Sequence, residues 1–238
     1  MRTHRLELDD QNLREWEAVV LAASPEGIVL DRSAFYPGGG GQPPDEGVLI
    51  WQGVETRIAG VRKGEELELI PAEGDPIPVP GTTVRAALAD ERRSALMRTH
   101  SALHVLCGVV FRDFGALVTG GNMEPYTARM DFNLPQVPPG FKEAVENACN
   151  AEIAADRRID IRVLPREEAF QIPDIIRTAT NLVPESVREV RIVDIVGLDC
   201  QADGGTHVAS TKQIGRIRVA KIENKGKGFR RVRLEVTD

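Results

Sequence analysis

The rhythm of the sequence changes once, at Asp90, and that change sets what the chain can fold into. Ahead of it, residues 19–22, 27–30, 47–51, 54–61 and 67–70 form short β-branched runs separated by turn residues. Such spacing predicts a small barrel or a sandwich. Residues 71–81 hold four prolines and two glycines and read as a loop, and 83–89 read as a last strand. Asp90 then offers an N-cap for a helix from Glu91 to about Phe111. Beyond it the pattern alternates. Strands are expected around Leu117 and over 127–134, 160–164 and 187–196. A helix is expected over 139–158, where Phe141, Val145, Ala148 and Glu152 share helical spacing, and a helical turn over 166–171. A hairpin of 215–223 and 229–236 crosses Asn224-Lys-Gly-Lys-Gly228. The chain thus reads as α+β, with a β-barrel-like domain over 1–89. An α+β domain over 90–238 follows, with a mostly antiparallel sheet and a metal-binding helix.

Composition narrows the class. The 238 residues suit one large domain or two small ones. No run of 18 apolar residues occurs, so no transmembrane helix is expected, and the first ten residues lack the apolar stretch of a signal peptide. Three cysteines cannot build a disulfide framework, and their odd number fits a reducing cytoplasm. A net charge of −6 argues against binding nucleic acid through bulk charge, and 5% aromatic residues argue against a base-stacking platform. Charge is uneven, however. Residues 211–238 carry nine basic against three acidic side chains, a balance of +6, which leaves −12 on the rest. Such an end either engages a polyanion or forms a solvated hairpin whose charges keep an edge strand from pairing.

Three segments can carry chemistry. His100 and His104 are four apart in a strongly helical stretch, so both rings leave one face. That spacing suits two ligands of one ion, or two core histidines with hydrogen-bond partners. The second segment, Asp199-Cys-Gln-Ala-Asp-Gly-Gly-Thr-His207, adds Asp203, His207 and Cys200 around a glycine pair and shifts the balance toward metal. Ser101 stands where a zincin protease carries its glutamate, and the paired cysteines of a deaminase are missing. Neither a Gly-x-Ser-x-Gly elbow nor a Gly-x-x-x-x-Gly-Lys phosphate loop is present. The third segment is Phe35-Tyr-Pro-Gly-Gly-Gly-Gly-Gln-Pro-Pro44. Four glycines let a backbone approach a ligand closely or form a flexible turn, and the rigid Tyr-Pro and Pro-Pro pairs that frame them favour the former; the prolines exclude a dinucleotide-binding helix.

In this combination the chain resembles the editing domain of alanyl-tRNA synthetase and its freestanding AlaX-type relatives, in the longer form with a glycine-rich barrel. The resemblance rests on the 35–42 segment, on Arg98-Thr-His-Ser-Ala-Leu-His104, on the 121–132 segment ending Arg129-Met-Asp-Phe132, and on Asp199 to Val208. It implies hydrolysis, in trans, of alanine tRNA mischarged with serine and, as a further substrate, with glycine. The chain is too short to carry an aminoacylation domain as well, although the kinship brings a family association with ATP. The resemblance also implies a Zn²⁺ site of His100, His104, Asp203 and His207. Gln42 and Thr206 are the expected catalytic residues. Gly38, Gly39, Gly40 and Gly41 are expected to line the aminoacyl pocket, and the basic end is expected to set Lys225, Lys227, Arg230 and Arg231 on the phosphates of tRNA(Ala). Arg129 and Asp131 fall on family positions and read as a strand-end pair; Thr206 reads equally as a helix cap.

Two departures stand out. The family usually has cysteine where this chain has Asp203, so a carboxylate replaces a thiolate, with Cys200 as the alternative ligand. Leu103 stands where synthetase-embedded domains often carry threonine. Strand alternation, continued from Val196, sets Cys200 and Ala202 on one face and Gln201 and Asp203 on the other. That parity favours Asp203. A non-catalytic metal-stabilised tRNA-binding module and a metal-dependent hydrolase of another ester remain as other readings.

Overall fold

The computed structural model describes residues 3–238, which form two compact units dividing between Ser94 and Ala95. In the first, a short strand β1 (His4–Arg5) and one helical turn α1 (Leu6–Asp9) lead into β2 (Glu15–Ser24), β3 (Gly27–Leu30), β4 (Arg32–Ser33), β5 (Gly47–Trp51), β6 (Val54–Lys63), β7 (Leu67–Pro71) and β8 (Thr83–Leu88). Six of these close into a barrel in the order β2-β3-β7-β6-β5-β8. Closure is made by β8, which pairs antiparallel with β2 on one side and β5 on the other, so the sheet has no free edge and is not a sandwich. Alternation along β2 sends Trp16, Ala18 and Val20 inward to meet Ile28, Leu30, Leu49, Ile58, Leu69 and Val84.

The four glycines lie between β4 and β5, and the segment has a defined shape. Gly38 to Gly41 all have positive φ, from 60° to 137°, which an L side chain rarely adopts. Gly39 and Gln42 exchange two backbone hydrogen bonds of 3.0 Å, and Tyr36 Oη donates to the Gly39 carbonyl at 3.1 Å. At the base of the loop, Asp45 accepts the Tyr36 amide at 2.7 Å. Asp45 in turn meets the wholly buried Arg93, whose Nε lies 3.0 Å from both carboxylate oxygens. Arg93 also donates to the carbonyls of Gln11 and Ala34. A buried ion pair with its remaining donors occupied fixes geometry even where its net stabilisation is small.

In the second unit, α2 (Asp90–Phe114), which begins in the first, is followed by β9 (Val118–Glu124), β10 (Thr127–Phe132), α3 (Phe141–Ala154), β11 (Ile159–Pro165), α4 (Arg166–Ala169), β12 (Glu189–Ile195), β13 (Asp199–Ala202), a 3₁₀ turn (Thr211–Ile214), β14 (Arg216–Asn224) and β15 (Arg230–Thr237). Two antiparallel sheets result, β14-β15-β10-β9 and β11-β12-β13. Leu96, Val105, Leu106 and Val109 of α2 pack with Phe132, Val145, Ile217 and Leu234 in one core. The helix starts one residue earlier than expected, because Ala89 supplies the first accepting carbonyl, to Arg93. The second helix is shorter than its pattern at both ends. Gly140 takes a left-handed conformation before Phe141, and beyond Ala154 the backbone of Arg157 bonds to Thr211. The strand expected near Leu117 runs over Val118–Glu124. The strand expected to continue past Val196 instead turns back at 196–198, with Gly197 at φ 80°, and returns as β13.

Candidate metal centre

His100 and His104 leave one face of α2, whose flanking residues are buried on the surrounding sheets. Asp203 and His207 follow β13 in an irregular segment, where Gly205 N donates to Asp203 Oδ2 at 2.6 Å. The four side chains converge, with one donor atom from each within 4.8 Å of all the others. Asp203 is the hub. His207 Nε2 lies 3.1 Å from its Oδ2, and His100 Nε2 and His104 Nε2 lie 3.6 and 3.9 Å from its Oδ1. In a tetrahedral site with bonds of about 2.0–2.1 Å, ligand atoms are roughly 3.4 Å apart. The separations around Asp203 bracket that value, so the residues fit one ion. Nitrogen and oxygen donors of this kind suit zinc and its first-row neighbours.

The rings are fixed from behind. His104 Nδ1 donates to the buried Asp199 Oδ2 at 3.0 Å, and a carboxylate can only accept, so the lone pair of His104 is left on Nε2. His207 Nδ1 lies 3.2 Å from Ser101 Oγ, which also accepts the Val208 amide. His100 bonds to the backbone of Thr206. Partners of this kind orient ligating imidazoles. Ser101, in the position where a zincin has its base, here supports a ring.

Electrostatics agree with the geometry. Burial is the main reason that His100 is pulled down to about 4, with the nearby His104 adding to it. Burial also carries His207 well below its usual value. Burial presses His104 the same way, but the bond to Asp199 and the charge of Asp203 outweigh it and its pKa is raised. For Asp203 burial opposes ionisation, yet the surrounding histidines hold its carboxyl well below the usual range. In neutral solution the site offers two neutral imidazoles, a third that is readily deprotonated by a cation, and one carboxylate.

Cys200 is elsewhere. With Ala202 it packs against Ala169, Ile175, Val190 and Ile192, whereas Asp199 and Gln201 face the opposite way. The parity read from alternation is therefore correct, although its strand is β13 and not a continuation of β12. Thr206 is buried and caps no helix: the next helical turn begins at Thr211, after Ser210. Gln42 is buried in the first unit, in the glycine loop. Asp199 escaped the sequence reading because one aspartate in a four-residue strand carries no periodic signal. Its even spacing from Gln201 and Asp203 was the available clue.

The basic end is largely paired within itself. Arg231 clamps Asp131 through Nε and Nη2 at 2.7 and 2.8 Å, and Asp131 also meets Arg129 at 3.3 Å. Arg129 and Asp131 thus form the structural strand pair expected of them, extended by Arg231. Arg233 and Lys221 share Glu223, and Arg218 pairs with Glu235. Arg230 donates to the carbonyls of Phe229 and Pro135 at 2.8 and 3.0 Å. Lys225 and Lys227 lie exposed on the 224–228 turn.

Comparison with known proteins agrees with this architecture. Residues 8–92 match the family model described as tRNA synthetases class II (A), and residues 190–233 match that of the threonyl and alanyl tRNA synthetase second additional domain. Over 233 residues the chain is 39% identical to an alanyl-tRNA editing protein AlaX-M of Saccharolobus solfataricus, covering 97% of each. It is 34% identical to the AlaX-M of Methanosarcina acetivorans, covering 96% of this chain and 97% of the relative. An alanine–tRNA ligase of Pyrobaculum neutrophilum is 34% identical over 230 residues, which are 93% of this chain and 25% of the ligase.

Proposed function

The chain belongs to the AlaX-type alanyl-tRNA editing family, and from that premise we propose that it hydrolyses alanine tRNA mischarged with serine, and with glycine as a further substrate, acting in trans in the cytoplasm. Water adds to the ester carbonyl, the bond to the terminal ribose oxygen breaks, and the products are the free amino acid and tRNA with its hydroxyl restored. The observation that carries this reading is the set of buried His100, His104 and His207 around the half-buried Asp203, with donor atoms converging and rings held from outside. These four would hold Zn²⁺. When bound, the ion supplies a Lewis-acidic point for the ester or the ribose end.

The chain's own groups do the rest. Asp203 lowers the net charge of the site, and Gly205 N holds its carboxylate in place. Gln42 and Gly38 to Gly41 are assigned to recognition of the aminoacyl group on the family resemblance; their closed, hydrogen-bonded loop supports a shaped surface over a flexible one. Thr206, which steadies His100 through its backbone, is assigned to the same end. A pocket that pairs the serine hydroxyl leaves a buried polar group unpaired when alanine binds, and so discriminates where the synthetase pocket does not. Lys225 and Lys227 are assigned to tRNA phosphates, with Arg230 and Arg231 as their support.

The test is a deacylation time course on tRNA(Ala) charged with serine, glycine and alanine. Rapid loss of serine with alanine spared is the expected result. Equal rates on all three, or none, would overturn the proposal. Binding without turnover would indicate a tRNA-binding module, and equal turnover of a free amino-acid ester a general esterase.

A further inference from the structure

Behind the four ligand side chains lies a second layer that no motif marks, and it converges on Asp199. This side chain is fully buried. Its Oδ2 takes two hydrogen bonds, from His104 Nδ1 at 3.0 Å and from Gln201 Nε2 at 2.7 Å. Its Oδ1 makes no hydrogen bond but faces Arg177 Nε at 3.4 Å. Arg177 is itself nearly buried and is pinned flat on Phe111 of α2, its guanidinium carbon 3.7 Å from the ring centroid. The backbone around Arg177 is tied to β9: Val118 N donates to its carbonyl at 2.9 Å, and Ala179 N to that of Val118 at 2.7 Å. Gln201 Nε2 also reaches Cys107 Sγ, one helical turn beyond His104.

The close approach of β13 to α2 depends on Gly108. A Cβ at that position would lie 2.8 Å from Leu198 Cγ and 3.0 Å from Asp199 Cβ, closer than packing allows. A glycine inside a helix costs about 1 kcal/mol relative to alanine. Here it admits the strand carrying Asp199 to within hydrogen-bonding reach of His104, four residues earlier on the same helix face.

We propose that Asp199, seated through Gly108 and held by Arg177 and Gln201, is the positioning residue that fixes His104 as an Nε2 ligand and sets the metal affinity of the site. The inference rests on the metal reading of the preceding subsection. Asp199 touches neither substrate nor ion. It acts through His104, by forcing the proton to Nδ1 and by giving the ring more negative charge to share with a cation. Arg177, stacked on Phe111, faces that carboxylate at 3.4 Å and holds it in place. Outer partners of this kind typically change metal affinity by about 10–100-fold.

The experiment is a zinc titration of the metal-stripped full-length protein against a chromophoric chelator at fixed pH, for wild type, Asp199→Asn, Arg177→Met and Gly108→Ala. Far-ultraviolet circular dichroism accompanies each to show folded protein. Asp199→Asn is expected to weaken zinc binding about 10–100-fold. Arg177→Met and Gly108→Ala should weaken it in the same direction by less. The Asp199→Asn/Arg177→Met double variant should be no weaker than Asp199→Asn alone, because Arg177 acts only through Asp199. Long-range ¹H–¹⁵N spectra of the zinc-loaded protein should show His104 protonated at Nδ1 in wild type. If Asp199→Asn does not fold, Arg177→Met and the His104 spectrum decide. Wild-type affinity in the folded Asp199 and Arg177 variants, or His104 protonated at Nε2, would overturn the proposal. Wild type that binds no zinc would overturn the metal reading instead, so the two failures are distinct.

Discussion

The histidine cluster and the basic C-terminal hairpin both draw on the last forty residues, and both are rich in ionisable groups, yet they are built on opposite terms. At the cluster the rings of His100, His104 and His207 are buried, and each has a directional partner behind it. On the hairpin, Arg218, Lys221 and Arg233 spend their charge on glutamates of the same sheet, and Arg231 on Asp131. The exposed pairs among these contribute little to stability and respond to salt. A sequence balance of +6 therefore does not amount to six charges available to a polyanion. Four donors aimed at one point are a commitment that burial makes costly without a cation.

The cluster is most vulnerable at Asp203. Asp203→Ala should lose bound metal and reduce the deacylation rate by about 100-fold or more, since even removing an outer partner of a ligand costs about 10–100-fold. Elemental analysis beside a time course measures both. Asp203→Cys should retain metal, because thiolate is also a competent zinc ligand.

A smaller effect sharpens the hairpin side. Neutralising Lys225 and Lys227 together should weaken tRNA binding and reduce the log–log salt slope by about 2, since each phosphate contact contributes about 0.9 on duplex. Adding Arg230→Ala and Arg231→Ala should change the slope little further and should lower thermal stability instead, since these two are engaged with Pro135, Phe229 and Asp131. A slope falling equally with all four replacements, at unchanged melting temperature, would place free charge where the structure shows pairing.

Acid should separate the regions as well. His100 and His207 have folded pKa values below the unfolded value of about 6.5, so the unfolded chain binds more protons as pH falls. The metal-free protein should therefore lose stability between about pH 6.5 and 4. His104 works in the opposite sense: its raised pKa contributes stability below about 6.5 that is lost as pH rises through the folded value. Two groups against one leave a net acid destabilisation, visible in denaturant midpoints across that range. Zinc should offset it by mass action. The smallest expected effect is that of Cys200→Ala, which should keep metal content and rate within about twofold, since Cys200 packs away from the site.

Much of this was legible in the sequence, for identifiable reasons. Short β-branched runs between turn residues marked most of the barrel strands, and the i, i+4 pair on a strongly helical segment placed His100 and His104 on one face. The parity argument separated Asp203 from Cys200 even though the hairpin turn at 196–198 was not foreseen; a glycine turn that begins a new strand preserves parity here by the arrangement of β12 against β13. What stayed hidden depends on tertiary neighbours. Asp199, Arg177 and Gly108 are separated by up to 91 positions and meet only when β13 folds onto α2. The pairing of Arg231 with Asp131 likewise spans 100 residues. The anchoring of the glycine loop was not legible either, since the Asp45 that takes the Tyr36 amide is itself held by Arg93, 48 residues on.

On the proposed function, editing depends on one metal ion held by His100, His104, Asp203 and His207. The most direct measurement strips the protein with chelator, restores zinc in graded amounts, and follows hydrolysis of Ser-tRNA(Ala) at each step beside Ala-tRNA(Ala). Activity should be lost on stripping, return in proportion to zinc and saturate at one ion per chain, with alanine spared throughout. Full activity in metal-free protein, or metal-loaded protein that releases serine and alanine alike, would contradict it.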